Sequence, residues 1–222
     1  MKLLTLLTMF WLTMIGATAN AGGRPADMKL VLNKDGIRVW SYEVPGSPLH
    51  GFKAVTTVSS NLNSIVGLIA DTEAASRWLY RTSEVETLKR NDESMSFVIR
   101  VVTDFPWPFK DREAVVAGRI IQDPQTMVVR IDSNTVGGYA PRTGNLNMPV
   151  VQGSWLFKPV GNGKVEITMT GHADPGGNLP ASLVNLLIQE HPYNSLKALK
   201  SVIAEPRFQT ARVASIREPL YQ

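Results

Sequence analysis

The sequence predicts an α+β fold in which one curved antiparallel β-sheet carries a long C-terminal helix across its apolar face. Three observations predict it. Runs rich in β-branched and aromatic residues recur between residues 37 and 173, separated by short turn sequences such as "ND", "DP" and "GNG". At period two these runs share an oily face: Met95, Phe97, Ile99 and Val101, then Met127, Val129 and Ile131, then Trp155 and Phe157, then Val165, Ile167 and Met169. The longest helical pattern, residues 180–204, comes after the last of them.

Taken in order, the lead "ADMKLVLNKDG" reads as a short helix, followed by strands at "IRVWSY" and "GFKAVTTV". "SSNLNSIVGLIADTEAASRWL" reads as an amphipathic helix with Ser60 or Asn61 as N-cap and Leu62, Ile65, Val66 and Ile69 on its buried side. Six strands follow: "SEVETLKR", "SMSFVIRVVT", "REAVVAGRII", "TMVVRID", "VQGSWLFKPV" and "KVEITMTGHA". Short connections between them imply an antiparallel meander. Within it, "DFPWPFKDRE" interrupts the ladder, because Pro106 and Pro108 cannot donate to a neighbouring strand, and the chain must bulge outward carrying Phe105, Trp107 and Phe109. The long helix opens at Pro180, contains a helix-interrupting Pro192, and offers Leu183, Leu186 and Leu187 before that proline and Leu196, Leu199 and Ile203 after it. Residues 206–222 show little periodicity and are expected to form a loose tail.

Composition narrows the function classes. Residues 1–21 have Lys2, the apolar run "LLTLLTMFWLTMI" and the small-residue site "ANA", the order of a secretory signal peptide cleaved after Ala21, and the periplasm is the compartment expected for the mature protein. The apolar run is shorter than the roughly 20 residues of a membrane span. The 222-residue chain has no cysteine, excluding disulfides and thiolate chemistry, and removal of Lys2 lowers its net charge from +4 to +3. Its charges are scattered, so no nucleic-acid surface is expected, while weak attraction to anionic headgroups is compatible with them. His50, His172 and His191 lack metal-ligand spacing, and neither a P-loop nor a G-x-S-x-G elbow is present, so no catalytic residue, metal or cofactor is expected.

"PWPFKDRE" at 106–113, "GSWLFKPVGNGKVEITMTGHADPGG" at 153–177 and "LPASLVNLL" at 179–187 jointly resemble the StAR-related lipid-transfer (START) domain family, with similarity running from about residue 27 to 205. The resemblance implies a helix-grip fold, a START-like lipid-binding domain over residues 22–205, in which sheet and C-terminal helix enclose a hydrophobic tunnel for one lipid, gated by the proline-flanked loop and the start of the helix. The candidate ligand contacts are then Phe97, Ile99, Val101, Trp155, Phe157, Ile167 and Met169 on the sheet, Trp107 and Phe109 on the loop, Arg112 and Arg119, and Leu183, Leu186 and Leu187 on the helix. For Arg112 an ion pair with Asp111 or Glu113 is the competing role. Sterol-binding members place an acid on the strand before the loop and an Arg on the strand after it. Here those stretches offer Arg100 and Arg119, with no acid between Glu93 and Asp104, which disfavours a sterol and favours an anionic or phosphate-bearing ligand.

The expected function is a soluble, monomeric, non-enzymatic lipid-binding and lipid-transfer protein that touches membranes transiently and takes a phospholipid, fatty-acyl or sterol-like ligand. The alternatives are a helix-grip aromatase/cyclase-like enzyme acting on a polyketide-like substrate, which requires an acid or base inside the tunnel, and a scaffold whose cavity its own side chains fill.

Overall fold

The computed structural model describes residues 28–142 and 144–220, so the signal-peptide reading of residues 1–21 lies outside the described residues. Strands β1 (Lys29–Lys34), β2 (Ile37–Tyr42) and β3 (Gly51–Ser59) precede helices α1 (Leu62–Ala70) and α2 (Ala75–Trp78). Strands β4 (Thr82–Asn91), β5 (Ser96–Thr103), β6 (Arg112–Gln122), β7 (Val129–Thr135), β8 (Leu146–Asn147), β9 (Val150–Gly161) and β10 (Lys164–Asp174) follow, then α3 (Ala181–Val202) and α4 (Pro206–Gln209). They form one sheet in the order β1-β2-β3-β10-β9-β7-β6-β5-β4, with β8 added in parallel to β6. The remaining pairings are antiparallel, and β3 lies against β10, so the first and last parts of the chain meet in the middle of the sheet.

The lead is a strand, not the expected helix. Lys29–Lys34 pairs with β2 through a turn at Asp35 and Gly36, whose φ values of 55° and 72° are those an Asp-Gly hairpin turn requires. The predicted helix after β3 breaks at Asp71 into α1 and α2, and Asn61 caps α1 by accepting from the Ser64 amide at 2.9 Å.

Core packing is uneven along α3. Its second half presents Leu196, Leu199 and Val202, which with Ile203 close against Ile37, Val39, Phe157, Ile167 and the α1 residues Leu62, Ile65 and Leu68. Buried Ser195 accepts from the Tyr80 amide at 2.9 Å, fixing the chain after α2 to the helix. The first half of α3 faces elsewhere, as described below. Nor is the tail loose. Phe208 and Ile216 are buried, the Asn63 side chain accepts from the Val213 amide at 2.8 Å, and the Glu218 carboxylate accepts from the Leu62 and Asn63 amides at 3.1 and 2.7 Å. An anion at the start of α1 meets both orphan amides and the positive end of the helix dipole, so a segment without periodicity still has specific partners.

Candidate functional site: an apolar chamber under the first half of helix α3

Two adjoining chambers lie between the concave sheet face and the helices. One, of about 270 Å³, is walled by β3, β5, β6, β7, β9 and β10, by Leu79, Arg81 and Thr82, and by Val184, Leu187, Ile188 and His191 of α3. The other, of about 180 Å³, lies under α1 and α2, with Met95 and Phe97 of the β4–β5 hairpin and Val213 of the tail in its wall. They share Leu79, Ile99, Val116, Ser133 and Trp155. Each is smaller than the roughly 300–1,000 Å³ usual for a small-molecule site, and jointly they enter that range.

The space persists for a reason readable in the strand register. Phe97 on β5 is paired with Gly118 on β6, and Phe52 on β3 with Gly171 on β10. Each ring lies over the glycine beside it, closely enough that a Cβ at Gly171 would sit 2.7 Å from Phe52 Cε1, and one at Gly118 would overlap Phe97 Cζ. Rings pressed flat on the sheet line the chambers without filling them. Trp155 forms the shared wall, held edge-on to Trp78 at 5.8 Å and tilted against Phe157 at 6.0 Å.

The loop after β5 closes on itself through Phe105 N–H to Asp111 Oδ1 at 3.0 Å and Phe109 N–H to Pro106 O at 3.0 Å. Its inward ring is Phe105, which lines the larger chamber and stacks on the Arg112 guanidinium, 4.5 Å from ring centroid to Cζ. Arg112, only 2% exposed, donates to the carbonyls of Lys110, Pro175 (3.3 Å) and Gly176 (3.4 Å), tying this loop to the turn that enters α3. Glu113 points to the opposite side of β6 and takes the Arg100 guanidinium, Asn145 Nδ2 and the Arg142 amide. Desolvation alone would raise its pKa, but those hydrogen bonds from Asn145 and Arg142 and the Arg100 charge outweigh it, and the carboxyl ends below its ordinary value.

No family model matches the chain. It is 27% identical over 201 residues, 90% of its length and 97% of the relative's, to an uncharacterized protein of Pseudomonas aeruginosa. A solved fragment of a STAR-related lipid transfer protein from Xanthomonas axonopodis superposes with a TM-score of 0.74 at 27% identity, over 81% of this chain and 99% of that one. The chain is a START-like domain. Human STARD10 superposes on this START-like domain with a TM-score of 0.73 at 20% identity, over 83% of this chain and 76% of that one, and the shared architecture is the helix-grip fold.

Within the START-like domain the predicted site residues separate into groups. Phe97, Ile99, Val101, Trp155, Met169 and Leu187 line the chambers. Phe157 and Ile167 are inward as expected but fully enclosed, because the packed half of α3 covers them. Trp107 is 92% exposed at the loop tip, and Phe109 is half-buried outside both linings. Arg112 makes no ion pair with Glu113, since consecutive strand residues face opposite ways, and it binds backbone carbonyls instead. Arg119 is exposed and bonded to Ser94 O at 2.9 Å. Leu183 and Leu186 miss the chamber, Leu186 being 52% exposed, because the inward stripe of α3 runs Val184, Leu187, Ile188, His191.

Sequence reasoning missed Phe52, Leu79, Val184, Ile188 and His191. The signal for the helix residues was present as i, i+3, i+4, i+7 spacing from Val184. His191 is the titratable side chain that α3 brings to the chamber: it sits against Phe52, 6.4 Å between ring centroids, without a hydrogen bond to the described residues. Burial pushes its imidazole down to about 4, leaving it neutral near pH 7.

Proposed function

We propose that the protein binds one hydrophobic ligand in the paired chambers and carries it between membranes. The observation that supports this is the apolar space under the first half of α3, kept open by flat-lying rings while the second half of the same helix is tightly packed. Burial is worth about 0.8 kcal/mol per methylene, so a sixteen-carbon chain gains on the order of 13 kcal/mol before ordering costs. The names of its structural relatives, lipid transfer proteins among them, point the same way. Trp107, at the tip of the loop that Arg112 ties to the entrance of α3, is the membrane-touching element, and parting of loop and helix admits the ligand. The export signal read in residues 1–21 supports the periplasm as the compartment of this traffic, and the proposed acting form is a monomer.

Native mass spectrometry of protein purified from its own cell envelope tests the reading: a bound lipid mass at 1:1 stoichiometry is expected, and an empty protein that also takes up no added lipid would overturn it. Trp107→Ala should slow transfer between vesicles while leaving binding intact, and unchanged transfer would remove the loop from the mechanism.

A second reading, a cyclase-type enzyme, is favoured by one observation, the neutral His191 facing an apolar chamber without a hydrogen bond to the described residues. Turnover of a polyketide-like substrate that His191→Phe abolishes would establish it.

A further inference from the structure

We propose that Arg81 anchors an anionic head, a carboxylate or phosphate, carried by a single-chain amphiphile whose apolar body fills the larger chamber. This inference rests on the lipid-binding reading and narrows the ligand class. No Asp or Glu lines that chamber among the described residues, and Arg81 is its one permanent charge. The Arg81 guanidinium has no carboxylate within ion-pair distance and no hydrogen bond to the described residues. Among the described residues its Nε is buried without a hydrogen-bond partner, and the Tyr80 ring lies 5.3 Å from Cζ. Arg100 and Arg142 are both matched to glutamates, and Arg112 is matched to carbonyls. A guanidinium beside an apolar cavity with no counter-charge is complementary to a ligand that supplies one.

The backbone holds it there. Arg81 adopts φ 56°, in the left-handed region. The other non-glycine residues with positive φ, Asp35, Met95, Met127 and Asn162, all sit in turns joining consecutive strands, where such angles are ordinary. Arg81 lies instead between α2 and β4, where its carbonyl accepts from the Asp104 amide at 2.7 Å and the preceding Tyr80 amide donates to Ser195 on α3 at 2.9 Å. It is therefore pinned where the chain after α2, the start of the proline-flanked loop and α3 converge. Thr103 and Phe105 from that loop and its strand line the same chamber.

The test is titration of the purified protein with palmitate, an acyl lysophosphatidate and hexadecanol, which share an apolar body and differ in the head. Palmitate or lysophosphatidate should bind at least about tenfold tighter than hexadecanol, and Arg81→Gln should remove about tenfold to a hundredfold of that affinity while hexadecanol stays within about twofold. Which oxyanion is favoured separates a carboxylate from a phosphate head. Arg81→Lys should keep part of the preference, and Arg130→Gln, a surface change, should keep all of it. Acetate and inorganic phosphate, charged but without an apolar body, should not compete at matched concentration, and competition by either would overturn the proposal. Equal binding of palmitate and hexadecanol by the unmodified protein would overturn it and leave the lipid-binding reading standing, as would equal loss of both in Arg81→Gln. Failure of all three amphiphiles to bind would overturn both.

Discussion

Arg112→Ala should loosen the junction between the proline-flanked loop and the entrance of α3, at a cost that follows from the contacts. The side chain is 2% exposed and donates to three carbonyls, two of them at 3.3 and 3.4 Å. Leaving a buried carbonyl unmet costs about 1–3 kcal/mol. Contacts this long are near the limit of a hydrogen bond, and the Pro175–Gly176 turn can regain water beside exposed Gly177. Those two therefore stand at the low end and the Lys110 carbonyl at the middle, giving about 4 kcal/mol, to which the guanidinium over Phe105 adds about 1 kcal/mol. For a chain of this size each kcal/mol moves Tm by about 2–4 °C, so a fall of roughly 10–20 °C is expected. Arg112→Met refills the volume and removes a charge whose burial already lowers its pKa, but it leaves the same three carbonyls unmet and should cost nearly as much. Thermal unfolding gives the magnitude, and hydrogen exchange gives the place: faster exchange confined to residues 104–111 and 175–179. A loss under about 1 kcal/mol with unchanged exchange there would refute the clamp.

Four further outcomes are expected. Phe157→Ala should cost about 3–5 kcal/mol and Ile99→Ala about 2 kcal/mol, the low end for such a change, since the first leaves a void in closed core and the second enlarges one already present; similar urea-unfolding losses would mean the chamber is filled in solution. Ending the chain at Gln209 removes Ile216 and the Glu218 cap of α1 and should cost about 3 kcal/mol, whereas an unchanged Tm would mean the tail is undocked. Glu113 has a folded pKa below its ordinary 4.5, so its stabilisation is present above that value and disappears as pH falls through the lower, folded one; Glu113→Gln should flatten the acid limb of stability against pH, and parallel curves for the two proteins would contradict the network. Gly171→Ala should push the Phe52 ring inward and reduce lipid capacity at modest stability cost, an idea abandoned if capacity is unchanged.

Strand positions from β2 onward, the two-residue β8 excepted, were legible because period two is a local property, and the same alternation identified Ile99, Val101, Trp155 and Met169 as inward. Strand β1 was misread as helix because six residues of mixed character carry little period, although the Asp-Gly pair after it is a hairpin signal. What alternation cannot supply is what covers each inward position. Trp155 and Phe157 share a face of β9, yet one lines the cavity and the other is sealed, according to which half of α3 lies above. The leucines at 183 and 186 drew attention by side-chain type, while Val184, Ile188 and His191 are inward by phase. Arg81 carries no local sign at all, since its significance lies in the carboxylates that are absent around it.

The same helix thus does two incompatible things, and the sequence separates them at Pro192. Beyond that proline, Leu196 and Leu199 reach fully into the core. Before it, the helix is shorter in apolar reach and roofs a sheet region where Gly171 on β10 lets the Phe52 ring lie down, as Gly118 on β6 does for Phe97 in the adjoining chamber under α1 and α2. Were Gly171 an ordinary strand residue, Phe52 would have to stand up and occupy the interior, and α3 would close on it as it closes on Phe157. An open chamber in a protein interior normally forfeits packing contacts. Here the loss is confined to one end, and the sealed end, with the docked tail capping α1, supplies the rigidity that lets the other end stay empty enough to take a guest.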